Sequence, residues 1–174
     1  GEVSTAAGFQ FAAGYAGVVR HFALRQVTGA PLTGVSTAII TVLDSSPELL
    51  DLNVTVGVGA PPAGIVVGDD GTVASPTAPL IAGGQLLASA TTGPNAQGAR
   101  VERTTGAGPV LTMRNSSVFF SNLACPAVCR GLYLLKTSSA TVSDGSNISV
   151  NAATGSVVGI DLVGTVAMPV SATI

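Results

Sequence analysis

"TVSDGSNISVNAA" (141–153), set beneath "TMRNSSVFFSNLA" (112–124), decides how the rest of the chain is read. At an offset of 29 residues Thr112 meets Thr141, Met113 meets Val142, Asn115 meets Asp144 and Ser117 meets Ser146. Phe119 then meets Ile148, Asn122 meets Asn151 and Ala124 meets Ala153. A Gly-led apolar run follows each copy, "GLYLL" (131–135) and "GIDLV" (159–163), with Gly131 over Gly159 at an offset of 28. Apolar positions match apolar ones, both Asn match, and the Gly-led run follows at nearly the same distance. A period of this length marks stacked repeats.

A repeat of this length, with several short strands and no helix signal, fits one coil of a parallel β-helix. Successive coils stack about 4.8 Å apart, the spacing of hydrogen-bonded strands. Equivalent residues then lie on top of one another. Phe119 and Ile148 are expected inside the coil. Asn122 and Asn151 are expected to form an amide ladder at a bend. Ala124 and Ala153 fall where only a small side chain fits, and Gly131 and Gly159 open a strand at a corner. The alternative is a β-sandwich, in which the two copies are similar antiparallel hairpins.

The composition agrees with an all-β chain. Of 174 residues 22 are Gly, 47% are hydrophobic and only 9% are charged. Most of the apolar content is Ala and Val rather than large side chains, which suits a thin, sheet-rich body. Upstream, "LNVTVGV" (52–58) alternates cleanly, and "STAIITVL" (36–43) and "AGIVVG" (63–68) are strand-like. "GYAGVVRHFALRQV" (14–27) reads as strand or short helix. "SSPELLDL" (45–52) suggests one helical turn capped by Ser45 or Ser46. Residues 88–109 read as loop except for "ARVERT". Residues 1–100 are therefore a β-rich region, either separate or an irregular part of the same solenoid. Residues 101–174 hold the β-helix coils, and "GTVAMPVSATI" (164–174) stops within a strand-like run, as a truncated solenoid does.

"FFSN" (119–122) with "RGLYL" (130–134), and "ISVN" (148–151) with "VGIDL" (158–162), resemble the F-x-x-N … G-G-[AI] repeats of polymorphic outer-membrane-type proteins. Similar repeats occur in large pectin-lyase-like surface proteins. The resemblance covers residues 110–174. The second Gly of the family's pair is replaced by Arg130 and Val158. It implies a right-handed parallel β-helix in secreted or surface-displayed proteins, often adhesive or structural.

Charge and motifs bound the function further. The net charge is −2 and the seven cations are scattered, so no basic stripe for nucleic acid forms. No apolar run is long enough for a membrane span. Three glycosylation sequons are present, at Asn53, Asn115 and Asn147. With few Lys and Glu, they favour an extracellular or cell-surface setting. Asn147 precedes the inward Ile148, so its side chain is expected to point out. Cys125 and Cys129 in "ACPAVCRG" are read as a disulfide that shapes a short loop. The competing zinc reading lacks ligands, since zinc wants four and the one His21 is distant in sequence. Asp69 and Asp70 in "GDDG" read as a turn rather than a calcium loop.

These features point to a non-catalytic extracellular structural or adhesive module of a larger surface glycoprotein, in a wall, coat or appendage filament. Its expected partners are other copies, other surface or wall proteins, and glycans, and no cofactor is implied. The alternatives are a polysaccharide-degrading β-helix enzyme and a β-sandwich filament subunit. The enzyme would need paired carboxylates. Asp144 and Asp161 face Asn115 and Tyr133 in the repeat. The acid-rich segment 44–51, with Asp44, Glu48 and Asp51, reads as a solvated turn.

Overall fold

The computed structural model describes residues 2–5, 9–26, 38–56, 63–69, 77–89, 97–103 and 108–174. Among them there is no helix, and every strand pairing is parallel. The chain is a parallel β-helix of stacked coils. Parallel pairing of the two C-terminal copies excludes the sandwich.

Three faces make up the coil. The first is built from residues 18–20 of β3 (Val18–Gln26), 48–50 of β5 (Glu48–Val56), β7 (Leu80–Ala82), β10 (Val110–Arg114), β12 (Ser139–Ser143) and β14 (Ser171–Thr173). The second stacks β1 (Glu2–Thr5), the later parts of β3 and β5, β8 (Gln85–Ser89), and the starts of β11 (Ser117–Leu135) and β13 (Asn147–Val163). The third stacks β2 (Phe9–Phe11), β4 (Ala38–Leu43), β6 (Ala63–Asp69), β9 (Gln97–Arg103) and the later parts of β11 and β13. β9 covers most of "ARVERT", the part of 88–109 not read as loop, and begins two residues ahead of it at Gln97. The chain bends at Asp44, and Ser45, Ser46 and Pro47 lead without a turn of helix directly into β5, so the expected helical turn is absent. The alternation of Leu52 and Val54 marks that segment as strand.

Apolar side chains stack in columns along the inside of each face. Val19, Leu49, Ile81, Met113 and Val142 stack on the first face. Leu24, Val54, Leu86, Val118 and Ile148 stack on the second. Ile40, Ile65, Ala99, Leu132 and Ile160 stack on the third. Leu49, Ile81, Met113, Val54, Leu86, Val118, Ile65 and Leu132 are all buried. Full burial of such a side chain is worth about 1.5–3 kcal/mol, so the columns hold the coils together more than any polar contact does.

The corner between the first and second faces is one residue wide and has its own column. His21, Asp51, Gly83, Asn115 and Asp144 all adopt positive φ, between 45° and 68°. His, Asp and Asn are the non-glycine residues most tolerant of this left-handed conformation. The sequence therefore writes the same sharp turn in four residue types. Beside it, the buried Ser116 hydroxyl donates to the Arg114 carbonyl (2.7 Å) and accepts from the Gly84 N–H (3.1 Å).

Gly131 lies over Gly159, as the registers of Arg130 with Val158 and Leu132 with Ile160 require. Gly98 and Gly64 extend the column upward, each following the same logic of flanking registers. A Cβ on Gly98 would lie 2.5 Å from the Gly131 carbonyl oxygen, and one on Gly131 would lie 2.7 Å from that of Gly159. No side chain fits there.

The offset of 29 runs through residues 110–114 against 139–143 and recurs beyond them only where Leu123 meets Ala152. At the corner the lower coil gains a residue. Ser143 to Ser146 form a turn closed by the Ser146 N–H to the Ser143 carbonyl at 3.1 Å, with Asp144 and Gly145 both at positive φ, as in a type I′ turn. From there Ser117 pairs with Asn147 and Val118 with Ile148. A slip of one residue exchanges the two faces of a strand. So Val118 is the inward partner of Ile148, and Phe119 points out, 48% exposed. Ala124 likewise meets Thr154 rather than Ala153. Asn151 is exposed, and the Asn122 side chain lies outside the described residues.

Candidate functional site

The outer side of the third face carries the densest set of charges. Stacking places Arg100, Tyr133 and Asp161 in one outward column, and sets Arg130 between Val158 and the buried Gln97 in another. Arg130 Nε donates to Asp161 Oδ2 at 2.5 Å, and its guanidinium sits 4.4 Å from the Tyr133 ring centroid. That pairing joins a charge to a π face as well as to a carboxylate. Nearby, Glu102 takes Lys136 Nζ at 2.5 Å and also Arg100 Nη2. Burial alone pushes the Glu102 carboxyl up, but the Lys136 hydrogen bond and the Arg100 charge outweigh it and hold it below its ordinary value.

At the end of the same face two acids are buried. Asp44 follows Leu43, which pairs with Gly68, so it stacks against Asp69, and Asp69 pairs with Arg103. Asp44 and Asp69 are each 3% exposed, and Asp69 Oδ2 accepts the Gly108 N–H at 3.0 Å. Asp44 is thus no part of a solvated turn. The other two acids of segment 44–51, Glu48 and Asp51, are exposed as expected. Asp69 ends a strand, and Asp70 lies outside the described residues. No spacing rule flags Asp44 and Asp69, because 25 residues separate them and only coil stacking brings them together.

The remaining exposed carboxylates are each set beside a basic side chain or on a strand. Asp51 Oδ2 lies 3.2 Å from His21 Nδ1, and Asp144 Oδ2 lies 3.8 Å from Arg114 Nε. Glu48 sits on the first face between Val18 and Leu80. His21 is therefore a surface corner residue, not a ligand drawn to the cysteines. Cys129 is buried and disulfide-bonded, and the Cys125 side chain lies outside the described residues. The backbone between them loops out: Cys125 pairs with Gly155 and Val128 with Ser156, leaving Pro126 and Ala127 without register partners. Among the described residues no group of three or more His, Cys, Asp or Glu could hold a metal ion. No helix among them is long and apolar enough to cross a membrane.

The three sequon asparagines gather on one side. Asn53 and Asn147 belong to a single outward column of the second face, with Gln85 and Ser117 between them. Asn115 is in the adjacent corner column. All three are exposed. Asn53 and Asn147 are three coils apart, about 14 Å at the spacing of paired strands.

No family model matches the chain, and neither a curated protein nor a solved structure matches it.

Proposed function

We propose that the chain is an extracellular structural or adhesive module of a larger surface glycoprotein, and that it is not an enzyme. The observation that carries the reading is the strip formed by Asn53, Asn115 and Asn147. Three acceptor sequons fall on one exposed side of a solenoid whose other outward positions differ in character. A glycan-bearing side and an ion-paired side suit a rod that packs among neighbours. The likeness of residues 110–174 to repeats of secreted and surface-displayed β-helix proteins belongs to the same proposal, as do partners among wall proteins and glycans.

The carboxylates support it further. Glycoside hydrolysis needs two carboxyl groups flanking one bond. Here Glu102 and Asp161 are each bound to cations, and the stacked pair Asp44 and Asp69 is buried.

Secretion from a eukaryotic host, followed by intact mass measurement before and after endoglycosidase, tests the reading. Occupied sites at Asn53, Asn115 and Asn147 are expected. Uniformly unmodified material would remove the glycoprotein claim. Release of reducing ends or unsaturated products from a polysaccharide panel would replace the module with the enzyme.

A further inference from the structure

Two outward columns run along the flank of the second face. The first holds Asn53, Gln85, Ser117 and Asn147. The second, two residues further along each strand, holds Thr55, Phe119 and Ser149. Between them they carry two of the three sequon asparagines and all three sequon hydroxyls: Thr55 for Asn53, Ser117 for Asn115 and Ser149 for Asn147. Phe119 is out of character in this strip. It is 48% exposed, while the other six residues are small or polar. Two other exposed rings, Phe9 and Tyr15, pack against Phe22 and Phe11, but Phe119 has no ring contact among the described residues.

A single exposed apolar side chain is ordinary by itself. What gives this one a use is its place beside a glycan acceptor. Ser149 is the direct partner of Phe119, and Asn147 is the direct partner of Ser117. Asn147 is therefore the diagonal neighbour of Phe119, one strand spacing across and two residues along. At about 4.8 Å between strands and about 3.3 Å per residue, the two Cα atoms lie about 8 Å apart. A diagonal of this size is within reach of aromatic and long side chains. The Asn147 side chain is short, but a sugar linked to its Nδ2 adds the width of a ring. The other acceptors are further away. Asn53 lies two coils from Phe119, and Asn115 lies four residues upstream, on the far side of the corner. Further coils would lengthen the stack along its axis and leave this flank open.

We propose that Phe119 is the seat of the glycan carried by Asn147, with the first sugar folded back over the ring. One face of a pyranose presents mainly C–H groups, polarised by the oxygens beside them. The face of an aromatic ring is the negative side of its quadrupole and is apolar. Laying one on the other removes apolar surface of both from water. The contact would hold the glycan along the flank rather than letting it swing free, and would cover the exposed ring. This assignment rests on the glycoprotein reading and adds to it the residue that holds the sugar and the sequon it serves.

The test is a double-mutant cycle of the parent chain, Phe119→Ser, Asn147→Gln and the pair, read by thermal melting. It is run on chain secreted from a eukaryotic host and on glycan-free chain from a bacterial periplasm, where the disulfide still forms. Mass spectrometry of the secreted material reads the occupancy of Asn147. In the secreted form Phe119→Ser is expected to lower the melting midpoint by about 2–4 °C, the size of an aromatic contact in a chain of this length. That loss should vanish when Asn147→Gln is already present. Phe119→Tyr, which keeps the ring, should melt with the parent. In the glycan-free form the two positions should show no coupling. A peptide N-glycosidase should also release the Asn147 glycan faster from folded Phe119→Ser than from the parent. An occupied Asn147 with no coupling to Phe119 would overturn the seat and leave the glycoprotein reading standing. An Asn147 that is never occupied would overturn the seat, and unmodified Asn53 and Asn115 alongside it would remove the glycoprotein reading as well.

Discussion

Gly131 and Gly159 hold the same place on successive coils, yet only one of them is needed by what surrounds it here. The same is true of Leu134 and Leu162, one wholly buried and the other half exposed. The difference between the interior coils and the last one shows how this sequence encodes its fold. A residue's fitness is set less by its own strand than by the coil above it. Propensity chooses strands, but the column decides whether a position must be small, apolar or left-handed.

The largest break in that comparison comes from the apolar column. Leu134→Ala should cost about 2–5 kcal/mol, since the cavity is enclosed by neighbouring coils. Leu162→Ala should cost well under half of that, because its surface is already open to water. Chemical denaturation of both variants at low concentration measures the gap. Next is the second-face register. Val118→Ala should destabilise by on the order of 1–2 kcal/mol, while Phe119→Ser should stay within about 0.5 kcal/mol. The reverse ranking would restore the uniform offset of 29 and place Phe119 inside.

The smallest effect is electrostatic. Glu102 has its carboxyl held below the ordinary value of 4.5 by Lys136 and Arg100 despite burial. The unfolded chain therefore binds a proton there more readily than the folded one, so stability rises with pH in this window. The contribution is complete above the unfolded value and is lost as the pH falls from about 4.5 through the lower folded value. Glu102→Gln should flatten this part of an acid-denaturation profile and leave the neutral-to-alkaline part parallel to that of the parent chain.

Legibility in the sequence followed loop length. On the first face, successive coils are offset by 30, 32, 32, 29 and 32 residues, and on the second by 21, 30, 32, 32 and 30. On the third the offsets are 31, 25, 34, 33 and 28. The two C-terminal coils were legible because their shared corners are short and nearly equal in length. The upstream coils were not, because unequal insertions before the third face blur any fixed period. Gly64 and Gly98 carry the same signal as Gly131 and Gly159, but without register they are single glycines in apolar runs. The corner column was hidden for another reason. His21, Asp51, Gly83, Asn115 and Asp144 share a backbone conformation, not a residue type. Phe119 was misplaced by one added residue near Gly145, which no comparison of residue types at a constant offset could detect. Of the candidate sites, the exposure of Asn147 followed from alternation alone. The ion pairs of Glu102 and Asp161, and the stacked Asp44 and Asp69, exist only once the coils are in register.

Stacking of coils in this register is tested most directly by melting Gly131→Val and Gly159→Val side by side at a concentration where each is a single copy. Gly131→Val forces a Cβ onto the Gly159 carbonyl and should lower stability by about 1–3 kcal/mol or more, as overpacking of a close backbone contact does. Gly159→Val should melt with the parent chain. Equal losses in the two variants, or a larger loss in Gly159→Val, would contradict the account.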